Sequence, residues 1–145
     1  MQHNALMVKP LRTLSLLVMS GFYIFAGLMH FKKPEMYLKI MPPFLPAHEL
    51  LVRISGVAES TLGLALLIPS LRKKASIGII ALLIAIFPAN IYMLMLGGEK
   101  FGLPQWVLWV RLPLQGVLIY WAAWQGSLLK PAKSLHPNGI LSSDL

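Results

Sequence analysis

A run from Ala75 to Leu96 without one charged side chain leaves this chain few folds to choose from. At about 1.5 Å per residue it is long enough to cross the ~30 Å hydrocarbon core of a bilayer as a helix. Three further runs match it in length. The first, Thr13 to Met29, is uncharged and follows Lys9 and Arg12. The second, Ile54 to Leu71, is interrupted once, by Glu59, and the last, Gln105 to Leu129, carries Arg111, Pro113 and Gln115. Lipid offers backbone N–H and C=O groups no partner, so single segments of this kind cross only as helices. The expectation is an all-α, integral membrane four-helix bundle forming one domain over residues 1–145, with spans at about 13–30, 53–71, 75–96 and 105–128.

Composition agrees. Hydrophobic residues make up 57% of the chain and charged ones 12%, against about a quarter charged in soluble domains. The net charge of +8 sits in short clusters between apolar runs, as in membrane proteins, and not along one helix face as nucleic-acid binding would require. A basic start and apolar middle also describe a signal peptide. No small-residue cleavage site follows the first run, and Ser20, Gly21, Ala26 and Gly27 lie inside it, so it reads as a retained span. The absence of cysteine removes disulfides, thiolate metal sites and thiol exchange by this chain alone.

Trp106 and Trp109 open the fourth run and Trp121 and Trp124 close it. Trp106 to Trp124 spans about 27 Å of helix, which reads as two aromatic belts. Lys9, Arg12, Arg72, Lys73, Lys74, Lys130 and Lys133 gather on one side, against Lys32, Lys33, Lys39, Arg53 and Lys100 on the other. The tight Arg72–Lys74 loop weighs most, which places both termini in the cytoplasm and the protein in the cell (inner or plasma) membrane. Phe31 to Val52 is the long connection. Met36, Tyr37 and Ile40 share a helical face there, which suits an amphipathic segment in the outer interface or a loop packed over the bundle. Pro88 and Pro113 should bend their helices. The Pro- and Ser-containing tail after Lys130 reads as poorly ordered.

Polar residues inside the runs carry the functional reading. Glu59 lies six residues past Arg53, Arg111 seven past Pro104, and Asn90 seven before Gly97. Each falls about 9–10 Å inside the outer end of its span. Ser20, Tyr23, Gly27 and His30 recur at helical spacing on the first span, with His30 at its outer end. Gly56, Glu59 and Gly63 share a stripe in which the glycines allow close helix approach. The candidate site is therefore a polar pocket in the outer half, formed by Glu59, Arg111, Asn90, His30, Tyr23 and Gln115. The alternative is structural: a buried Glu59–Arg111 ion pair fixing helix order, with Asn90 and Gln115 completing the hydrogen bonds. Haem is rejected, because His48 sits in a proline-bounded loop and His3 and His136 lie on the opposite side from His30. No metal site is expected, and the eight scattered methionines read as fill.

Ala26-Gly27-Leu28-Met29-His30-Phe31, Pro34, Tyr37 and Pro42 to Pro46 resemble the end of the first helix and the external loop of DoxX-like membrane proteins. The resemblance continues through Ile54 to Glu59, Gly63, Pro69 and Phe87-Pro88-Ala89-Asn90-Ile91, and covers roughly residues 14 to 125. It implies four helices with a loop after the first, and places His30, Glu59 and Asn90 at the family's recurrent polar positions. Arg111 stands outside it. The family takes its name from a subunit associated with a quinol oxidase or thiosulfate–quinone oxidoreductase system. Other relatives are linked to membrane oxidoreductase complexes, methylamine-dehydrogenase maturation or chaperone-like assembly. The lack of cysteine argues against maturation through the chain's own thiols.

The expected function is an accessory or quinone-interacting subunit of a membrane redox system, without an intrinsic cofactor and not a stand-alone enzyme. Its partners would be the lipid bilayer, membrane oxidoreductase subunits and a quinone, with no nucleic acid. The rival is an assembly or chaperone-like interaction protein without small-molecule chemistry. A small transporter is a third reading; with four spans and no internal repeat it would require a homo-oligomer.

Overall fold

The computed structural model describes residues 2–129, with side chains described from residue 10 onward. The side chains of His3 and Lys9, and all of Lys130, Lys133, His136 and the tail, lie outside the described residues. The helices are α1 (Gln2–Lys32), α2 (Pro34–Leu38), α3 (His48–Leu67), α4 (Arg72–Leu96) and α5 (Gln105–Gln125), with a 3-10 turn at Gly98–Phe101. No strand occurs among the described residues. Among the described residues, four segments are long and apolar enough to cross a membrane: Pro10–Lys32, His48–Leu67, Arg72–Leu96 and Gln105–Gln125.

The second long helix, α3, sits earlier than its apolar run suggests. Ile68 is extended, at φ −87° and ψ 113°, because the Pro69 ring disfavours helical geometry in the residue before it. α3 therefore stops at Leu67 and not near Leu71. At its start the chain turns after Pro46 through Ala47, whose φ of 50° is left-handed, and Leu51 N–H bonds Ala47 C=O at 3.0 Å. Helix then begins at His48, ahead of the expected position near 53. His48 Nε2 lies 3.1 Å from the Pro42 carbonyl, which ties the loop to this first turn. α5 closes at Gln125, where Ser127 takes φ 56° and Leu128 N–H bonds Ala123 C=O at 2.9 Å.

α1 packs most extensively on α3, α4 on α5, and α3 on α4. Small residues set the first of these contacts. A Cβ at Gly27 would fall 2.6 Å from Gly56 O and 2.7 Å from Ser60 N, so the two backbones nearly touch. About two turns along, Ser20 Oγ donates to Gly63 O at 2.6 Å. Met19, Leu66, Ile79 and Ala122 are wholly buried beside Leu16 and Tyr23.

The outward faces are apolar too. Leu11, Phe25, Ile84 and Val117 are each 60% or more exposed, on α1, α4 and α5. In water every such side chain would forgo roughly 1.5–3 kcal/mol of burial, so these faces suit an apolar surrounding. Trp106 and Trp109 are exposed as an aromatic belt requires. Trp121 departs from that expectation: it turns inward, with Nε1 donating to Ser15 Oγ at 2.8 Å.

Candidate functional site: a polar cavity beneath α2

The end of the molecule that carries α2 holds a cavity of about 180 Å³. Its polar lining is His30 from α1, Tyr37 from α2, Ser55 and Glu59 from α3, Asn90 from α4 and Arg111 from α5. Each helix thus contributes a polar group, and Ile40, Met41, Val52 and Ile86 complete the wall. Four of the six sequence-selected residues meet here.

The other two do not line the cavity. Gln115 is buried one turn deeper on α5, and its amide donates to the Leu83 carbonyl of α4. That carbonyl lies in the turn preceding Pro88, where the proline removes a backbone donor and crowds the helix. Tyr23 is also buried, with no hydrogen-bond partner for its hydroxyl among the described residues.

Glu59 does not pair with Arg111 among the described contacts, which corrects one sequence expectation. Its Oε2 lies 3.6 Å from His30 Nδ1, and that nitrogen also lies 3.0 Å from the Ala26 carbonyl. With the proton on Nδ1, His30 donates to Ala26 and turns the same N–H edge toward the carboxylate. The distance to Glu59 is too long for a hydrogen bond. Glu59 Oε2 is thus a buried oxygen without a hydrogen-bond partner among the described residues. α3 starts at His48, so Glu59 is about 16 Å along its helix. Arg111 and Asn90 are about 9 Å from their own helix ends. The shared depth inferred from Arg53 therefore does not hold along the helix axes, yet all three residues still reach one cavity.

Arg111 engages α4 instead. Its Nη2 donates to Asn90 Oδ1 at 2.9 Å and its Nη1 approaches Met93 Sδ at 3.2 Å. Asn90 Nδ2 donates onward to Gln115 Oε1 at 2.9 Å. This relay from Arg111 through Asn90 and Gln115 to the Leu83 carbonyl fixes the rotation of α5 against α4. Charge polarises such a chain, so losing a middle member leaves two partners unsatisfied.

Tyr37 and Ser55 are lining residues that the sequence-derived site omitted, and Tyr37 is the one with a defined contact. Its ring stacks on the His30 imidazole, with centroids 3.6 Å apart and planes 23° from parallel, so α2 forms a roof over the cavity. This geometry matches the expected loop packed over the helices. Burial pushes the Tyr37 phenol above its ordinary range and Glu59 adds to the shift, while Arg111 opposes it. The hydroxyl is therefore a retained proton donor. The available signal was its helical spacing to Met36 and Ile40, which indicates a face but not what that face covers.

A groove of about 500 Å³ adjoins the cavity and shares Tyr37, Ile40 and Arg111 with it. Met36, Met93, Phe101 and Leu103 make it apolar, and Lys39 and Lys100 stand on its wall. Alone, the cavity is below the roughly 300–1,000 Å³ of sites that enclose a drug-sized ligand, and with the groove it falls within that range. Among the described residues no cluster of three His, Cys, Asp or Glu side chains could hold a metal.

No curated protein and no solved structure matches the chain. A family model does, across residues 19–125, the stretch that contains every polar residue of the cavity. The chain belongs to the family described as a domain of unknown function, DUF8561.

Proposed function

We propose that the four apolar helices lie in the cell (inner or plasma) membrane as a bundle with both termini cytoplasmic, and that the chain is an accessory, quinone-interacting subunit of a membrane redox system. The observation that carries this reading is the cavity. The four long helices and α2 each bring a polar group to one small space, and one buried carboxylate oxygen there has no described hydrogen-bond partner. Ionisable groups placed inside apolar helices are costly and mark sites for ligands or protons. The resemblance to DoxX-like proteins supports the same assignment.

The residues suit an aromatic headgroup bearing carbonyl oxygens. Tyr37 retains a proton to donate, and Arg111, held by Asn90, polarises an oxygen brought beside it. Glu59 takes or gives a proton at its Oε2, next to the His30 N–H edge. The cavity admits only the head, and an isoprenoid-like chain would leave along the apolar groove. Electrons belong to a partner, because the chain supplies no redox centre of its own in this reading. Titration of the purified protein with a short-chain benzoquinone tests the assignment. Saturable binding should disappear in Glu59→Gln and persist in Glu49→Gln, a change on the exposed first turn of α3. Equal binding by both variants removes Glu59 from the site.

One observation favours a second reading. Asn90, Arg111 and Gln115 spend their described bonds on joining α4 to α5, as residues of an assembly or chaperone-like interaction protein without small-molecule chemistry would. In that case Glu59→Gln lowers abundance, no quinone binds, and a second membrane protein co-purifies at fixed ratio.

A further inference from the structure

Toward the end of the molecule opposite α2, a second cavity of about 500 Å³ opens between the Arg12–Leu16 stretch of α1, the turn after α3, the start of α4 and the end of α5. Arg12, Arg72 and Lys73 line it together with Thr13 and Ser127. Two of the cations are held in place. Arg12 Nη2 donates to Trp124 O at 3.3 Å, to Gln125 O at 3.1 Å and to Ser127 Oγ at 2.6 Å. Arg72 Nε donates to Leu66 O at 3.1 Å. Each guanidinium thereby caps a helix C-terminus through a single nitrogen, and the other nitrogens carry no described bond.

Among the described residues, nothing acidic answers these charges. Glu35, Glu49, Glu59 and Glu99 all lie on or toward the α2 end, and Asp144 is outside the described residues. Apolar side chains that neighbour the lining residues along the chain are exposed: Leu11, Leu14, Ile68 and Leu71 are between 39% and 64% accessible. Fixed, half-buried guanidinium groups next to exposed aliphatic side chains fit a molecule with an anionic head and hydrocarbon chains.

We infer that this cleft binds the phosphate of an anionic phospholipid, with the acyl chains lying along Leu11 and Leu14 of α1 and the end of α3. Arg72, bound to the protein through Nε, keeps its Nη1–Nη2 edge for bidentate contact with phosphate oxygens, Arg12 offers single bonds from Nε and Nη1, and Lys73 adds a point charge. The inference rests on the helices lying in a bilayer.

Native mass spectrometry after delipidation and incubation with mixed micelles tests it. The micelles contain equal amounts of phosphatidylglycerol and phosphatidylcholine. The parent should retain phosphatidylglycerol in preference, and Arg72→Gln/Lys73→Gln should lose roughly tenfold or more of that preference, at about 1 kcal/mol per basic residue. Arg12 is left intact so that α5 keeps its clamp. Lys32→Gln/Lys33→Gln makes the same charge change at the α2 end and should leave the preference unaltered. An equal loss in that control, or equal retention of both lipids by the parent, overturns the site. Competition by millimolar inorganic phosphate as effective as phosphatidylglycerol overturns the lipid assignment in favour of a free anion. Abundant retained phosphatidylcholine without anionic preference removes this site while the membrane reading stands.

Discussion

Gly27→Ala should separate the two most closely packed helices, and its size follows from distances in the structure. A methyl group at Gly27 would lie 2.6 Å from Gly56 O and 2.7 Å from Ser60 N. Ordinary heavy-atom contacts lie near 3.5–4.0 Å, so α1 and α3 must part by roughly 1 Å. Backbone atoms have no rotamer through which to yield. Overpacking of this kind costs about 1–3 kcal/mol, and stretching the Ser20–Gly63 bond about two turns away removes up to about 1 kcal/mol more. Gly21→Ala is the matched control, because nothing lies within 4 Å of a Cβ there. It should be neutral or stabilising by about 0.5–1 kcal/mol through helix propensity. Unfolding both variants in one detergent with increasing dodecyl sulfate, followed by tryptophan fluorescence, should separate them by on the order of 3 kcal/mol. Equal midpoints and slopes for the pair would refute a close α1–α3 crossing at Gly27.

Other changes probe the polar groups individually. Gln115→Leu strips partners from Asn90 and from the Leu83 carbonyl, and the same unfolding assay should register a loss of about 1–3 kcal/mol. Arg12→Met removes the clamp on Trp124, Gln125 and Ser127, so proteolysis near Gly126 should accelerate while quinone titration stays unchanged. Tyr37→Ala removes the stack over His30 and should open the cavity, visible as faster hydrogen exchange in Lys33–Met41. The Tyr37 phenol is raised in the folded state. The native protein therefore holds its proton longer than the unfolded chain, and stability contributed by Tyr37 is intact below about pH 10 and lost above it. The parent should destabilise more steeply than Tyr37→Phe in that alkaline window, and parallel curves would contradict the placement of the ring.

The long helices were legible in the sequence because a charge stands out in an apolar run, but their bounds were less so, since Pro69 stops α3 at Leu67, short of the expected Leu71. The Gly56–Gly63 stripe was legible as well, since only glycine lets two backbones meet as they do at Gly27. The partner of Glu59 was not. Whether it faces Arg111 or His30 depends on the rotation of α5, which the Asn90–Gln115 bond and the Leu83 carbonyl set together. Spacing along one helix carries no record of that angle. Tyr37 escaped for a related reason: a five-residue helix docks where Pro34, Pro42 and His48 aim it. The Arg12 clamp left no trace either, because two of its acceptors are backbone carbonyls, which every residue possesses.

The most direct test of the quinone-site account is native mass spectrometry of the protein extracted gently from its own membrane. The account predicts a bound quinone mass in the parent that disappears in Glu59→Gln. A stoichiometric protein partner with no small ligand in either form would contradict it and make the polar cavity a structural joint of an assembly protein.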